Sequence, residues 1–502
     1  MKKLSKILCI VLALLITIGG NIVLAEGSVS NSSNNTSSNS GFKSTKLMKR
    51  VKVNSNFKKA QSALLKGIKK MATTIDLTKY KIPKASADYF YMGTVYDNPE
   101  LFWVNSTYLY WYKGKYITKI QPVYHFRKSE LATRKKEYNL RYNQFLSSVQ
   151  VGMSEYDKAL VLHDKLVSEN TFSYDANKLY SAYGALYGCS SVCQGYALAY
   201  AHLLKAVGIE SHIAYSEEMN HVWNIVKISG KWYHVDATWD DPIVYNEKNK
   251  KDVDTTGKVE HKYFLINTAR IKSNGYNHYN WMTFFKTFSC KSTTYHKSFD
   301  KEISSKIIKI DDTYYYATKD YKFATRKKGI ETTYEDKDAY TIDRVHNHIY
   351  FNDATNLYYY DINTGEFNYK LKFRTTEDKT YVRGISIVSQ RIFYVEKNYN
   401  ENYYSHYYLT DASFPSEQVV KLNRVYNVKK GIRLTWDKAS YATKYEIYRK
   451  QKGSKYKLIK TVLASKTSFI DTSVKNKVKY TYYIKSAPQR VTSFEKSVVR
   501  KK

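Results

Sequence analysis

Three side chains in this sequence have the types and spacing for nucleophilic chemistry. The stretch Gly188-Cys189-Ser190-Ser191-Val192-Cys193-Gln194-Gly195-Tyr196-Ala197 precedes an apolar run through Leu198, Leu203, Leu204 and Val207, which Gly208 ends. That pattern predicts a helix with Cys193 near its N-terminus. Unpaired N–H groups and the helix dipole favour a thiolate there. Gly195 is expected to keep the approach to the sulfur uncrowded. On its own the stretch is weak, because free cysteine is commonly a buried core residue.

The second and third side chains come from one predicted hairpin. His221–Ile228 and Lys231–Trp239 alternate around Ser229-Gly230, which reads as a two-residue loop. Ile228 then faces Lys231, Trp223 faces Asp236 and His221 faces Thr238. His221 and Asp236 become a diagonal pair on one face, ~7–8 Å apart at Cα and within reach of a ring side chain. An imidazole oriented by a carboxylate, with Cys193 approaching from a helix end, is the nucleophile–base–orienter arrangement. Any two strand residues have an even chance of sharing a face; the full set is much rarer by accident.

The run VCQGYA followed by HVWN and VDATWDD resembles the transglutaminase-like superfamily, a papain-like fold. The stretch Tyr156–Asp175 and the upstream DNPELFWV resemble bacterial secreted members. The resemblance spans about residues 50 to 290 and is strongest over 188–241. It implies Cys193 as nucleophile, His221 as general base and acid, and Asp236 as the orienting acid. It implies acyl transfer through a thioester to an amine or to water, and no cofactor. Animal transglutaminases place a tryptophan upstream of the cysteine to stabilise the oxyanion; here no Trp lies between Trp111 and Trp223. That departure leans the expectation toward a peptidase or hydrolase. The Cys193 N–H supplies one oxyanion donor, and Tyr174 is the candidate second.

Other readings of these residues are weaker. A zinc site from Cys189, Cys193, His221 and His234 has a Cys-x3-Cys spacing off the usual two-residue gap. A Cys189–Cys193 disulfide would be a redox lock. His163, His202 and His212 read as structural, His163 as packing on a helix face. Trp223, Trp232 and Trp239 read as hairpin packing, and Asp240-Asp241-Pro242 as a turn.

The elements around the site divide the chain into α+β and all-β parts. Residues 46–81 have helical periodicity, 86–126 look β-like and aromatic, and 128–170 look helical again, with Tyr156, Ala159, Leu160, His163 and Leu166 on one face. The predicted fold is an α+β papain-like core (46–295, centred on about 150–245) followed by all-β domains. The first, 300–415, holds 18 tyrosines. It contains three loosely similar pieces, Ile307–Thr318, Ile342–Glu366 and Val382–Lys397, each strand, turn and aromatic strand. The last, 421–502, resembles a fibronectin type III domain through Leu434-Thr435-Trp436, Tyr445–Arg449, Asp471-Thr472 and Tyr480–Lys485.

Charge and the N-terminus set the expected location. Lys2, Lys3 and Lys6, the apolar run Ile7–Ile18 and Val23-Leu24-Ala25 form a signal-peptide pattern, too short to span a membrane. A Ser/Asn-rich linker follows over 26–45. The 502-residue chain carries 81 Lys+Arg against 45 Asp+Glu, a net charge of +36. With export expected, that excess points to an anionic cell wall and away from nucleic acid. Residues 421–502 hold 23 basic and four acidic residues, making that domain the expected wall-binding part. Three cysteines remain after the leader, an odd number that leaves at least one free thiol. The expected function is an exported cysteine-dependent acyl-transfer enzyme acting on proteins or peptides at the cell surface. The alternative is a non-catalytic surface protein that binds wall or protein through the same module.

Overall fold

The computed structural model describes residues 22–24, 53–150, 152–172, 180–187, 190–246, 251–254, 257–373, 380–388, 391–398, 404–410, 420, 422–438, 444–487 and 496–501. Tyr174, Cys189, the 26–45 linker and nearly all of the expected leader lie outside these residues.

The N-terminal layer mixes helix and sheet. Strand β1 (Ile22–Leu24), at the end of the expected leader, runs along an outer edge of this layer. Helix α1 (Ser55–Lys69) starts at Asn54, whose Oδ1 accepts from the Phe57 N–H at 2.9 Å. Phe57, Ala60, Leu64 and Ile68 make its buried stripe. The expected helix to Lys81 stops at Lys69, because the chain turns through Met71 (φ 53°) into β2 (Ile75–Asp76). The expected β character of 86–126 fails over its first part, since Ala87–Tyr96 is helix α2. Every α2 residue except Asp88 is buried. A helix surrounded on all sides shows no polar face, so its aromatic run imitates a strand. Strands β3 (Val104–Lys113) and β4 (Tyr116–Tyr124) then form a hairpin, flanked by β1 on β3 and β2 on β4.

The expected helix over 128–170 is two helices, α3 (Leu131–Leu146) and α4 (Glu155–Glu169). A capping box restarts the second: the Ser154 hydroxyl accepts from the Asp157 N–H while the Asp157 carboxylate accepts from the Ser154 N–H. Strand β5 (Thr171–Phe172) pairs in parallel with β6 (Ser190–Ser191), with α5 (Ala182–Leu186) between them. Helix α6 (Cys193–Ala206) follows, ending before Gly208 at φ 81°. Strands β7 (Ser211–Ser216), β8 (His221–Ile228) and β9 (Lys231–Val235) lead to the small hairpin β10 (Ile243–Asn246) and β11 (Lys251–Asp254). After helix α7 (Thr268–Lys272), strand β12 (Trp281–Thr283) completes a sheet of order β12-β7-β8-β9.

The C-terminal half is all β among the described residues. Three antiparallel meanders succeed one another, within 308–338 (four strands), 342–372 (four) and 380–410 (three). The three similar sequence pieces each supply the opening strands of one meander. Ile307, Tyr316 and Ala324 join the main N-terminal core, so the first meander packs on the α+β region. From Leu422 to Val499, sheets of three and four strands enclose Leu434, Trp436, Tyr445, Ile447, Tyr482 and Ile484 as a β-sandwich. No described helix is long and apolar enough to cross a membrane.

Candidate active site

Cys193 is the first residue of α6. Val192 precedes it with extended backbone and no side-chain cap. The first backward bond is Gly195 N–H to Val192 O at 2.9 Å. The N–H groups of Cys193 and Gln194 therefore face out of the helix start, where the dipole favours negative charge. The Cys193 thiol is half-buried and not in a disulfide. Gly195 has a different role from the expected one. A Cβ there would sit 1.8 Å from Ser191 Oγ and 3.0 Å from Ser181 O, so the glycine lets β6 and the start of α5 close against α6.

The hairpin has the expected turn and register. Ser229 and Gly230 both take positive φ, Ile228 pairs with Lys231, and pairing continues to Asn224 and Val235. Beyond Val235 the chain leaves the ladder, so the expected His221–Thr238 pair does not form. The turn instead swings Asp236 under the imidazole. His221 Nε2 donates to Asp236 Oδ2 at 2.6 Å. That leaves Nδ1 as the ring nitrogen available to Cys193, whose sulfur lies near enough to favour the His221 imidazolium. The structure thus brings Cys193, His221 and Asp236 together.

Burial and charge act against each other here. His221 is 6% exposed and Asp236 fully buried. Burial disfavours the imidazolium, but the Asp236 carboxylate and the Cys193 sulfur outweigh it, and His221 is pushed up to about 10. Burial likewise disfavours the Asp236 anion, yet His221 and His278 hold it well below the usual carboxylate range. Both shifts describe one ion pair in a dry setting. The imidazole lies between Trp223 (ring centroids 5.6 Å) and Trp239 (5.5 Å). Trp223 is buried as expected; Trp239 remains 39% exposed and forms the outer wall.

Four donors saturate Asp236. Oδ1 accepts from the Thr238 and Trp239 N–H groups at 3.0 and 3.2 Å, and Oδ2 accepts from His221 and from His278 Nε2 at 2.8 Å. His278 also bonds the Tyr276 carbonyl through Nδ1. It lies in a loop 42 residues beyond Asp236, and no spacing rule points to it. Tyr96, at the end of α2, was equally hidden. Its hydroxyl donates to Gln194 Oε1 at 3.1 Å. Burial, with Cys193 adding to it, keeps that hydroxyl protonated.

A second network anchors the 236–241 turn. The Asp240 N–H bonds Asp236 O, and its Oδ1 accepts from the Tyr263 N–H. Asp240 Oδ2 lies 3.2 Å from His163 Nε2, an ionic contact off the hydrogen-bond line. His163 Nδ1 meets Asp164 at 2.9 Å, and Asp164 also accepts from His261 Nε2 and from the Ile307 N–H at 2.7 Å. Burial disfavours the His261 imidazolium, but Asp164 outweighs it and raises His261 to about 9. His163 is thus a polar link, not the packing residue its helix face predicted. Asp241 accepts from Tyr196.

The zinc reading fails on geometry. His234 accepts from Trp223 Nε1 at 3.0 Å and faces Thr268 through Nε2, away from His221. The clusters His221–Asp236–His278 and His163–Asp164–His261 each gather three ligand-type atoms. Their ligand atoms are already joined at hydrogen-bond distances of 2.6–3.1 Å. Ligands around a tetrahedral ion stand ~3.3 Å apart with the ion between them.

Residues 144–237 match the family model of the transglutaminase-like superfamily. These residues form a transglutaminase-like core. The match includes Cys193, His221 and Asp236 but not Tyr96, Trp239 or His278. Among matching solved structures, one described as a TGase is 11% identical, over 38% of this chain and 49% of that one, with a TM-score of 0.19. Another, the extracellular domain of a hybrid two-component system of B. thetaiotaomicron, is 7% identical over 55% of this chain and 42% of its own, with a TM-score of 0.18. The chain thus spans half or less of the length of each. No curated protein matches by sequence.

Proposed function

We propose that this chain is an exported cysteine-dependent acyl-transfer enzyme acting on protein or peptide carbonyls at the cell surface. The single observation that carries the reading is Cys193 at a helix start beside His221, whose imidazole is hydrogen-bonded to a saturated Asp236 carboxylate. In this reading the Cys193 sulfur attacks a carboxamide or peptide carbonyl. The Cys193 N–H supports the oxyanion. The His221 imidazolium gives its proton to the departing ammonia or amine, leaving a thioester. Water or an amine then attacks, His221 takes its proton, and the sulfur leaves. The absence of an upstream tryptophan favours water as acceptor.

The test is product analysis with glutamine, asparagine and unmodified peptides, with and without a primary amine. Ammonia release, cleavage or amine incorporation that Cys193→Ala abolishes supports the reading. A wild-type chain that forms no acyl-enzyme with any of them refutes it and favours a binding module. Attachment to the wall through the basic β-sandwich is part of the same proposal. Wall binding indifferent to salt would sink its electrostatic basis.

A further inference from the structure

The positive charge of this chain is also concentrated where the fold leaves a crevice. Residues 53–84 contain eight lysines and a single acid, Asp76. α1 carries no acidic residue in its first turn and ends in Lys66 and Lys69. None of the eight lysines forms an ion pair with a described acid. Asp76 is engaged by the Thr78 N–H at 2.8 Å. An open crevice of about 840 Å³ runs between α1 and the β2 segment, lined by Lys59, Lys66, Lys70 and Lys79 with the polar side chains of Asn56 and Ser62.

We propose that this crevice binds a linear phosphate-bearing polymer lying along α1. Lys59, Lys66 and Lys70 fall on one helical face, with rises of about 10 Å and about 6 Å between them. A single phosphate reaches one or two such amines; an extended phosphodiester chain reaches all of them. Ammonium groups suit phosphate as point charges without needing a forked geometry. Asn56 and Ser62 offer hydrogen bonds to linker hydroxyls. Single-stranded nucleic acid is disfavoured, because the crevice offers one ring, Tyr80, where successive bases need a stacking platform. The site is separate from the Cys193 cleft. α2 stands between, bonded to α1 through Gln61–Thr94 and to α6 through Tyr96–Gln194. The inference does not depend on the chemistry at Cys193.

The test uses the full chain and an immobilised glycerol-phosphate oligomer, with binding measured against salt concentration. One variant combines Lys59→Gln, Lys66→Gln, Lys70→Gln and Lys79→Gln. A control combines Lys452→Gln, Lys455→Gln, Lys457→Gln and Lys460→Gln in the β-sandwich. All eight positions are exposed, so thermal melting checks that both variants fold as wild type. The crevice variant is expected to flatten the log–log salt slope by about 3, as four released counterions require. An unchanged slope overturns the proposal. So does a control variant that abolishes all binding, or tighter binding of single-stranded DNA of equal charge.

Discussion

Replacing Asp236 by asparagine tests the electrostatics of the site without changing its shape. The side-chain oxygen can still accept from the Thr238 and Trp239 N–H groups that hold Oδ1. The charge facing His221 is lost, together with the Oδ2 acceptor that His221 and His278 share. The rise of His221 from 6.5 to about 10 corresponds to about 5 kcal/mol favouring the imidazolium. Asp236 is the main favourable contributor. Without it, only Cys193 opposes burial, and His221 should titrate well below its wild-type value. The asparagine N–H would also make Nε2 an acceptor, moving the ring proton to Nδ1 and removing the base from the sulfur. General acid–base catalysis is worth about 10²–10⁴-fold, so acyl-enzyme formation should slow by that factor. The assay is an NMR titration of histidine-labelled wild type and variant, with alkylation of Cys193 measured in parallel. If His221 titrates at the same pH in both proteins, the reasoning is wrong.

Three further outcomes follow from the packing and charge. His221 and His261 have folded pKa values raised to about 10 and about 9, so their stabilisation is complete below about pH 6.5 and lost as pH rises through 9 to 10; the melting temperature should fall over that window, and less steeply in His261→Asn. His163→Leu removes the bridge between Asp164 and Asp240 and leaves the buried Asp240 carboxylate without its ionic partner, at a cost of about 3–5 kcal/mol in urea unfolding, with slower alkylation of Cys193 as the 236–241 turn loosens. Gly195→Ala forces a Cβ into Ser191 and should cost about 1–3 kcal/mol, partly restored by Ser191→Gly, as urea midpoints would show.

What the sequence made legible is what local periodicity and turn chemistry control. The β8–β9 register follows from alternation and from Ser229-Gly230, whose positive φ values suit a two-residue hairpin. Cys193 at a helix start follows from the apolar period that begins beside it. Helix α2 was hidden because burial on every side erases the contrast that marks a helix. The break between α3 and α4 had a local sign, Ser154 with Asp157, which the long helical pattern masked. His278, Tyr96 and the His163–Asp164–His261 network join residues far apart in the chain. Only the fold brings them together. The basic C-terminal sandwich holds the larger excess of lysine, but on α1 a smaller excess lines a concave surface that only the fold creates.

The most direct test of the central claim is the rate of Cys193 alkylation by iodoacetamide across pH, read by mass spectrometry in wild type and His221→Ala. Cys290, buried and with its thiol pushed up to about 12 chiefly by burial, is the internal reference. The account predicts fast labelling of Cys193 at pH 6, strong slowing in the variant, and little labelling of Cys290 in either. Labelling of Cys193 no faster than Cys290, or unaffected by loss of His221, would contradict it.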